Sequence, residues 1–296
     1  MLKKKTKPGS SPATTPNPTA GPNNSKFSKV LAQIKPVSSL GLVLAALFYG
    51  KAGTGKTTVA ATFPTPLLHL DIREKGTDSI SDLKNVDTIS IESWDAFEQI
   101  YWYLVSKENK YKTVVIDAVS QLQDFALLAA LEENGKDESS PISKRDFGVA
   151  AGRLKTWIVN YRDLVDQGIN VVFLAHDRST DTDEGEDGEL MPSIGPRMMP
   201  SVASVLTAAV KIIGNTFIKE SHEKLSVGKV KRTVTYCMRV GPHAYYTTKV
   251  RQPKGSYTPE VIENPDYNVL VSLMKGELEP PVATPAPATK KLIKRK

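Results

Sequence analysis

Cysteine is nearly absent from the 296-residue chain. Cys237 is the only one, which excludes an internal disulfide and fits a reducing cytosol. It sits in an apolar, strand-like run, where a thiol is expected to be buried and inert. No apolar run reaches the ~18 residues that a membrane span needs, so no membrane partner is expected. The lysine-bearing N-terminal stretch has no apolar segment of the kind a secretory signal carries. There are four histidines, and His176 has no partner histidine at the ligand spacing of a metal site. No internal repeat is visible.

Acidic residues are missing from both ends. Residues 1–40 hold seven lysines and no Asp, Glu or Arg, and residues 280–296 hold Lys290, Lys291, Lys294, Arg295 and Lys296, again without an acid. The net charge of +7 therefore belongs to the ends, and residues 41–279 carry about −5. Both ends are rich in Pro, Ser, Thr and Ala. They are expected to be disordered basic tails, 1–38 and 277–296, around one domain, 39–276. Basic tails on an acidic body suit an electrostatic hold on nucleic acid, and they equally suit a solubilising role.

What the chain does have is Gly50-Lys51-Ala52-Gly53-Thr54-Gly55-Lys56-Thr57, a match to the G-x-x-x-x-G-K-[ST] phosphate-binding loop. The apolar run Leu42–Tyr49 enters it as a strand, and Thr57–Phe63 leaves it as a short helix stopped by Pro64. Glycines let successive N–H groups converge on one anion at the helix N-terminus. The loop, with Thr58, is expected to cradle the phosphates of ATP. Lys56 would reach the β- and γ-phosphates with an ammonium that has no partner in the core, and the Thr57 hydroxyl would bind Mg²⁺.

Beyond the loop, apolar strands at Leu67–Ile72, Thr88–Ile91, Thr113–Asp117 and Val171–Ala175 alternate with helices: one capped by Ser93, one through Leu122–Leu131 and one over 144–167. This pattern predicts an α/β fold with a mainly parallel sheet flanked by helices. From about Val210, strands at 210–219, 233–240 and 245–250 joined by short turns predict antiparallel additions at one sheet edge. Asp117 ends a hydrophobic strand and is expected to hold Mg²⁺ near Thr57. Asp71 and Glu74, at the carboxyl end of the strand after the loop helix, are both candidates for the base that orients water. Glu74 is the better placed, against the alternative of a solvated turn glutamate. His176 ends the strand Val171–Ala175 and reads either as a sensor of the γ-phosphate or as a structural residue.

The order of these parts, with Val114-Val115-Ile116-Asp117-Ala118-Val119-Ser120-Gln121-Leu122, resembles the RecA-type P-loop ATPase core. Asp71-Ile72-Arg73-Glu74-Lys75-Gly76, Arg145-Asp146-Phe147-Gly148 and Phe173-Leu174-Ala175-His176 resemble, more closely, a compact phage-encoded P-loop family that includes RecA-like single-strand annealing proteins. The resemblance covers about residues 42–275. It implies catalytic roles for Lys56, Glu74, Asp117 and His176, with His176 in a place usually filled by glutamine. It also implies that Lys249 and Arg251, a Lys-x-Arg pair, reach the nucleotide site of a neighbouring subunit, against the alternative of a solvated strand end. The activity implied is DNA-stimulated, Mg²⁺-dependent ATP hydrolysis in recombination, in the cytoplasm of a host cell. The partners implied are single-stranded DNA, further copies in a ring or filament, and a single-strand DNA-binding protein. A nucleotide-gated adaptor and a helicase-type motor remain as alternatives, whereas the strand-rich C-terminal third argues against a lid-bearing kinase. One departure stands out: Asp177, Asp181, Asp183, Glu184, Glu186, Asp187 and Glu189 fill the segment after His176, which would repel DNA phosphates. That segment is expected to be a turn between two short strands, leaving DNA to the 135–145 loop, Arg197 and the tails.

Overall fold

The structure is a computed structural model that describes residues 28, 32, 34, 41–184, 190–226 and 229–281. The chain divides into two units, Met1–Gly41 and Leu42–Lys296. In the first, the Ala32 N–H donates to the Ser28 carbonyl at 3.0 Å. The expected tails fall almost wholly outside the described residues, as does the tip of the acidic segment. Among the described residues no helix is long and apolar enough to cross a membrane.

The second unit is built on a nine-stranded sheet. The strands that order it are β1 (Ala45–Tyr49), β2 (Leu67–Asp71), β3 (Val86–Ser90), β4 (Thr113–Asp117) and β5 (Asn170–Ala175). To these the C-terminal third adds β8 (Ile212–Ser226), β9 (Lys229–Arg239), β10 (Lys249–Val250) and β11 (Val261–Glu263). The spatial order is β11-β9-β8-β1-β5-β4-β2-β3, with β10 also on β8. Strand β8 runs parallel to β1, so it extends the parallel sheet before β9, β10 and β11 add the expected antiparallel strands. A separate hairpin, β6 (Asp177–Glu184) with β7 (Leu190–Pro196), carries the acidic segment and supplies the two expected strands.

Side-chain alternation explains why this sheet takes helices on both faces. Leu47, Ile116 and Phe173 point to one core, where α2 (Trp94–Val105), α3 (Val119–Glu133), α4 (Lys144–Asp163) and α5 (Pro200–Ala209) pack. Their strand neighbours Ala46, Phe48, Val115 and Leu174 point to the other, under α1 (Lys56–Ala60) and α6 (Tyr267–Lys275). Strands β1, β2, β4 and β5 are buried on both faces, as apolar parallel strands must be. Helix starts follow local chemistry. The Ser93 hydroxyl accepts from Ala96, and Ser143 with Asp146 closes a capping box on α4. Lys136 and Ser143 hold the Asp146 carboxyl well below the usual carboxylate range. Lys136 thereby ties the 135–143 loop to α4 at 2.6 Å.

Two helices and two strand lengths stand out against the sequence reading. Helix α5 starts on Pro200 at its first turn, and α6 is capped by Asp266 and closed by Gly276 in the left-handed conformation. Neither was expected. The strand expected over 210–219 runs on to Ser226, because its charged half is paired with β9, including Glu220 with Arg232. The strand expected over 245–250 shrinks to Lys249–Val250. Tyr246 instead packs against the Arg239 guanidinium at 4.1 Å and against His243.

Candidate active site

Register brings the sequence candidates together. Tyr49 aligns with Ala175, Leu174 with Asp117, and Asp117 with Asp71, so four strand ends share one edge. In parallel sheets this carboxyl edge is where ligands bind. Strand β5 lies between the strand of the glycine loop and the strand of Asp117, and it delivers His176 between them.

The loop itself is tightly fitted. A Cβ on Gly50 would lie 2.4 Å from the Thr216 carbonyl oxygen, so only glycine fits beneath β8. Gly55 (φ 82°) caps α1 in the left-handed region, with the Tyr236 ring 3.0 Å from where its Cβ would stand. The Thr54 hydroxyl donates to the Lys51 carbonyl at 2.8 Å and pairs with the Thr216 hydroxyl at 2.7 Å. Lys56 is buried, and its ammonium does have partners: it donates to the carbonyls of Gly50 (2.9 Å) and Lys51 (2.8 Å). These partners belong to the loop, which curls back over its own side chain, and not to the apolar core. Burial pushes the Lys56 pKa down, and the charges of Asp117 and Glu74 pull it back up. An ammonium has three donors, so one N–H remains for a phosphate oxygen.

A cavity of about 380 Å³ opens here, lined by Ala52, Gly53, Gly55, Lys56, Thr57 and Thr58 from the loop and by Glu74, Asp117, His176 and Tyr236 from other elements. The Thr57 hydroxyl donates to Asp117 Oδ2 at 2.8 Å. Glu74 Oε1 meets His176 Nε2 at 2.8 Å and accepts from Gln121 at 3.4 Å. Its other carboxylate oxygen has no partner among the described residues. Asp71, the rival base, is turned into the backbone: its Oδ1 accepts the N–H groups of Glu74 (2.9 Å) and Lys75 (3.0 Å). That bond folds a turn with Arg73 and Lys75 at positive φ, which presents Glu74 to the cavity. Arg73 leaves the site, stacking on Phe125 at 4.4 Å and pairing with Asp124.

His176 is linked in three directions. Its side chain meets Glu74, its N–H donates to the Ser120 hydroxyl at 3.1 Å, and its carbonyl accepts the Arg197 N–H at 2.8 Å.

These groups fit a Mg²⁺–nucleotide. Among the described residues no three His, Cys, Asp or Glu gather as an all-protein metal cage. A hydroxyl and one carboxylate beside a phosphate cradle is the donor set of a cation shared with the substrate.

Residues 44–252 match the family described as AAA domain. The chain belongs to that family. Among solved structures this AAA domain is similar to the flagellar accessory protein FlaH from Methanocaldococcus jannaschii, at 8% identity over 74% of this chain and 84% of that one, with a TM-score of 0.37. It is also similar to the KaiC-like protein PH0186 from Pyrococcus horikoshii OT3, at 14% identity over 75% and 89%, with a TM-score of 0.36. No curated protein matches the sequence. With similarity this low, the fold rests on the strand order and register described above.

Lys249 and Arg251 lie outside the AAA domain's cavity. Strand β10 pairs with Ile212–Ile213 near the start of β8, and both side chains donate to the last carbonyls of α5. Lys249 reaches Thr207 (2.7 Å) and Ala208 (3.0 Å), and Arg251 reaches Ala208 (2.9 Å). Within one chain they cap a helix C-terminus, where cations are favoured.

Three residues of the site escaped the sequence reading: Thr216, Tyr236 and His69. Each acts across a long sequence separation. His69 lies inside β2, 1% exposed, where an unpaired ring nitrogen would cost ~1–3 kcal/mol. Both nitrogens are satisfied, Nε2 by Asp117 Oδ2 at 3.2 Å and Nδ1 by the Thr88 hydroxyl at 3.4 Å. The signal was a polar residue in the middle of an otherwise apolar strand.

Proposed function

We propose that this AAA domain binds ATP with Mg²⁺, hydrolyses it, and couples hydrolysis to single-stranded DNA in recombination. One observation carries the reading: Lys56, the Thr57–Asp117 pair and the Glu74–His176 pair line a single cavity. Bound Mg²⁺ would neutralise charge on the phosphates, held by the Thr57 hydroxyl and, through water, by Asp117. Lys56 places a buried positive charge against the phosphate being transferred. The unpartnered oxygen of Glu74 accepts the proton of the attacking water, while His176 and Gln121 fix the other oxygen.

Coupling to DNA is supported by the other end of His176. Its carbonyl holds Arg197, and Arg197, Arg178 and Phe147 line a groove of about 300 Å³ outside the nucleotide cavity. Phe147 is half exposed, and Asp124, which also lines the groove, is paired with Arg73. Guanidinium groups beside an exposed ring suit a single strand, which offers phosphates and base faces together. A strand seated there would shift Arg197, and with it His176 and Glu74. The paired removal of Arg178 and Arg197 as alanines should weaken single-strand binding and lower its salt slope by ~0.7 per lost phosphate contact. An unchanged slope would move the DNA elsewhere on the chain.

The reading extends to an oligomer that anneals or exchanges strands, with Lys249 and Arg251 turned from their own α5 towards a neighbour's nucleotide. Mixing Arg251→Ala with Lys56→Ala should then restore turnover above either protein alone, because mixed interfaces pair an intact loop with an intact finger. Co-assembly without recovery would leave both residues as helix caps.

A further inference from the structure

We propose that His69 is the positioning residue of Asp117: it holds the Mg²⁺-facing carboxylate in one orientation and so sets how strongly Mg²⁺ strengthens ATP binding. The inference rests on the reading of Asp117 as the Mg²⁺ carboxylate.

Two donors converge on Asp117 Oδ2, the Thr57 hydroxyl at 2.8 Å and His69 Nε2 at 3.2 Å. The second oxygen, Oδ1, has no protein donor among the described contacts, which leaves it for a metal-bound water. The two donors differ in what else they must do. The Thr57 hydroxyl oxygen is also the group offered to the cation, so its geometry changes with the ligand. His69 has no duty towards nucleotide and does not line the cavity.

His69 is also well anchored. Strand β2 runs between β3 and β4, and its register sets His69 beside Val115 on one side and Thr88 on the other. From Val115 the ring reaches two residues along β4 to Asp117. The Thr88 hydroxyl stands at 3.4 Å from Nδ1 and at 3.3 Å from the His69 carbonyl oxygen, so the far side of the ring is fixed to the edge strand. A carboxylate only accepts hydrogen bonds, so Nε2 must carry a proton whether the ring is neutral or charged. A chain Thr88–His69–Asp117–Thr57 thus crosses three strands to the glycine loop. Partners of this kind fix the orientation of a metal-binding group, and losing one typically lowers metal affinity about 10- to 100-fold.

A histidine that only filled the core would affect stability and nothing else. The test therefore reads Mg²⁺ dependence. Binding of a fluorescent ATP analogue is measured by titration across a Mg²⁺ series and in EDTA, for wild type, His69→Leu, His69→Gln and Thr88→Val. His69→Leu keeps the volume apolar and removes the donor. It should raise the Mg²⁺ midpoint about tenfold while affinity in EDTA stays within about twofold. His69→Gln places an amide donor near the position of Nε2 and should restore most of the midpoint. Thr88→Val, which frees only the far nitrogen, should shift it in the same direction by less. A folded His69→Leu protein with the wild-type midpoint would overturn the proposal. Should His69→Leu fail to fold, Thr88→Val decides: a raised midpoint supports the role and an unchanged one removes it. Wild-type binding that ignores Mg²⁺ would instead overturn the reading of Asp117 itself.

Discussion

Lys56→Ala is expected to reduce ATP turnover by at least ~10²-fold, the scale of losing a preorganised charge at a transferring phosphoryl group. Its ammonium is buried within the loop, held by the Gly50 and Lys51 carbonyls with one donor to spare. Removing it leaves two carbonyls without their cation, so the loop should loosen locally and ATP affinity should fall as well. The sheet beneath does not depend on it: Leu47, Phe48 and Tyr49 are fully buried by other elements. Circular dichroism and the melting temperature should therefore stay close to wild type. Steady-state phosphate release by a folded Lys56→Ala protein is the check, and an unchanged rate would remove the loop from the chemistry.

The second large effect belongs to Glu74. Glu74→Gln keeps an acceptor for His176 and Gln121 at the same distances and removes only the capacity to take a proton. ATP affinity should stay within a few fold while single-turnover hydrolysis slows by ~10² or more. Asp71→Asn is the matched control. Its remaining amide oxygen can still accept the N–H groups of Glu74 and Lys75, so the turn should hold and hydrolysis should stay near wild type. The reverse pattern, a slow Asp71→Asn with a normal Glu74→Gln, would move the base along the strand end.

The reach of the sequence can be judged from particular elements. Strand β4 was legible to the residue, because the polar Lys112 precedes it and its apolar run Val114–Ile116 ends on the acid Asp117. The glycine loop, Asp117, Glu74 and His176 could be placed at one edge because strand ends in a parallel sheet face the same way. Glu74 was preferred to Asp71 because it lies past the strand end, but the turn that presents it, with positive φ at Arg73 and Lys75, no pattern announces. Helix α6 did carry its signals, Asp266 before it, Gly276 after it, and Leu270, Leu273 and Met274 at helical spacing between them. It was hidden in a stretch read as strands and turns. His69, Thr216 and Tyr236 reach the site by pairing across strands far apart in sequence, and sequence distance conceals such contacts until the register is known. Lys249 and Arg251 are the opposite case. The resemblance to RecA-type ATPases pointed them at a neighbour, while within one chain the structure ties them to α5.

The most direct measurement is steady-state ATP turnover by the full chain in Mg²⁺, with and without single-stranded DNA. A site in which His176 joins Glu74 to Arg197 predicts Mg²⁺-dependent phosphate release that rises when single strands are added. Turnover unaffected by DNA would sever the groove from the cavity and leave a nucleotide-gated adaptor, and no turnover under either condition would contradict the assignment of Glu74 as the base.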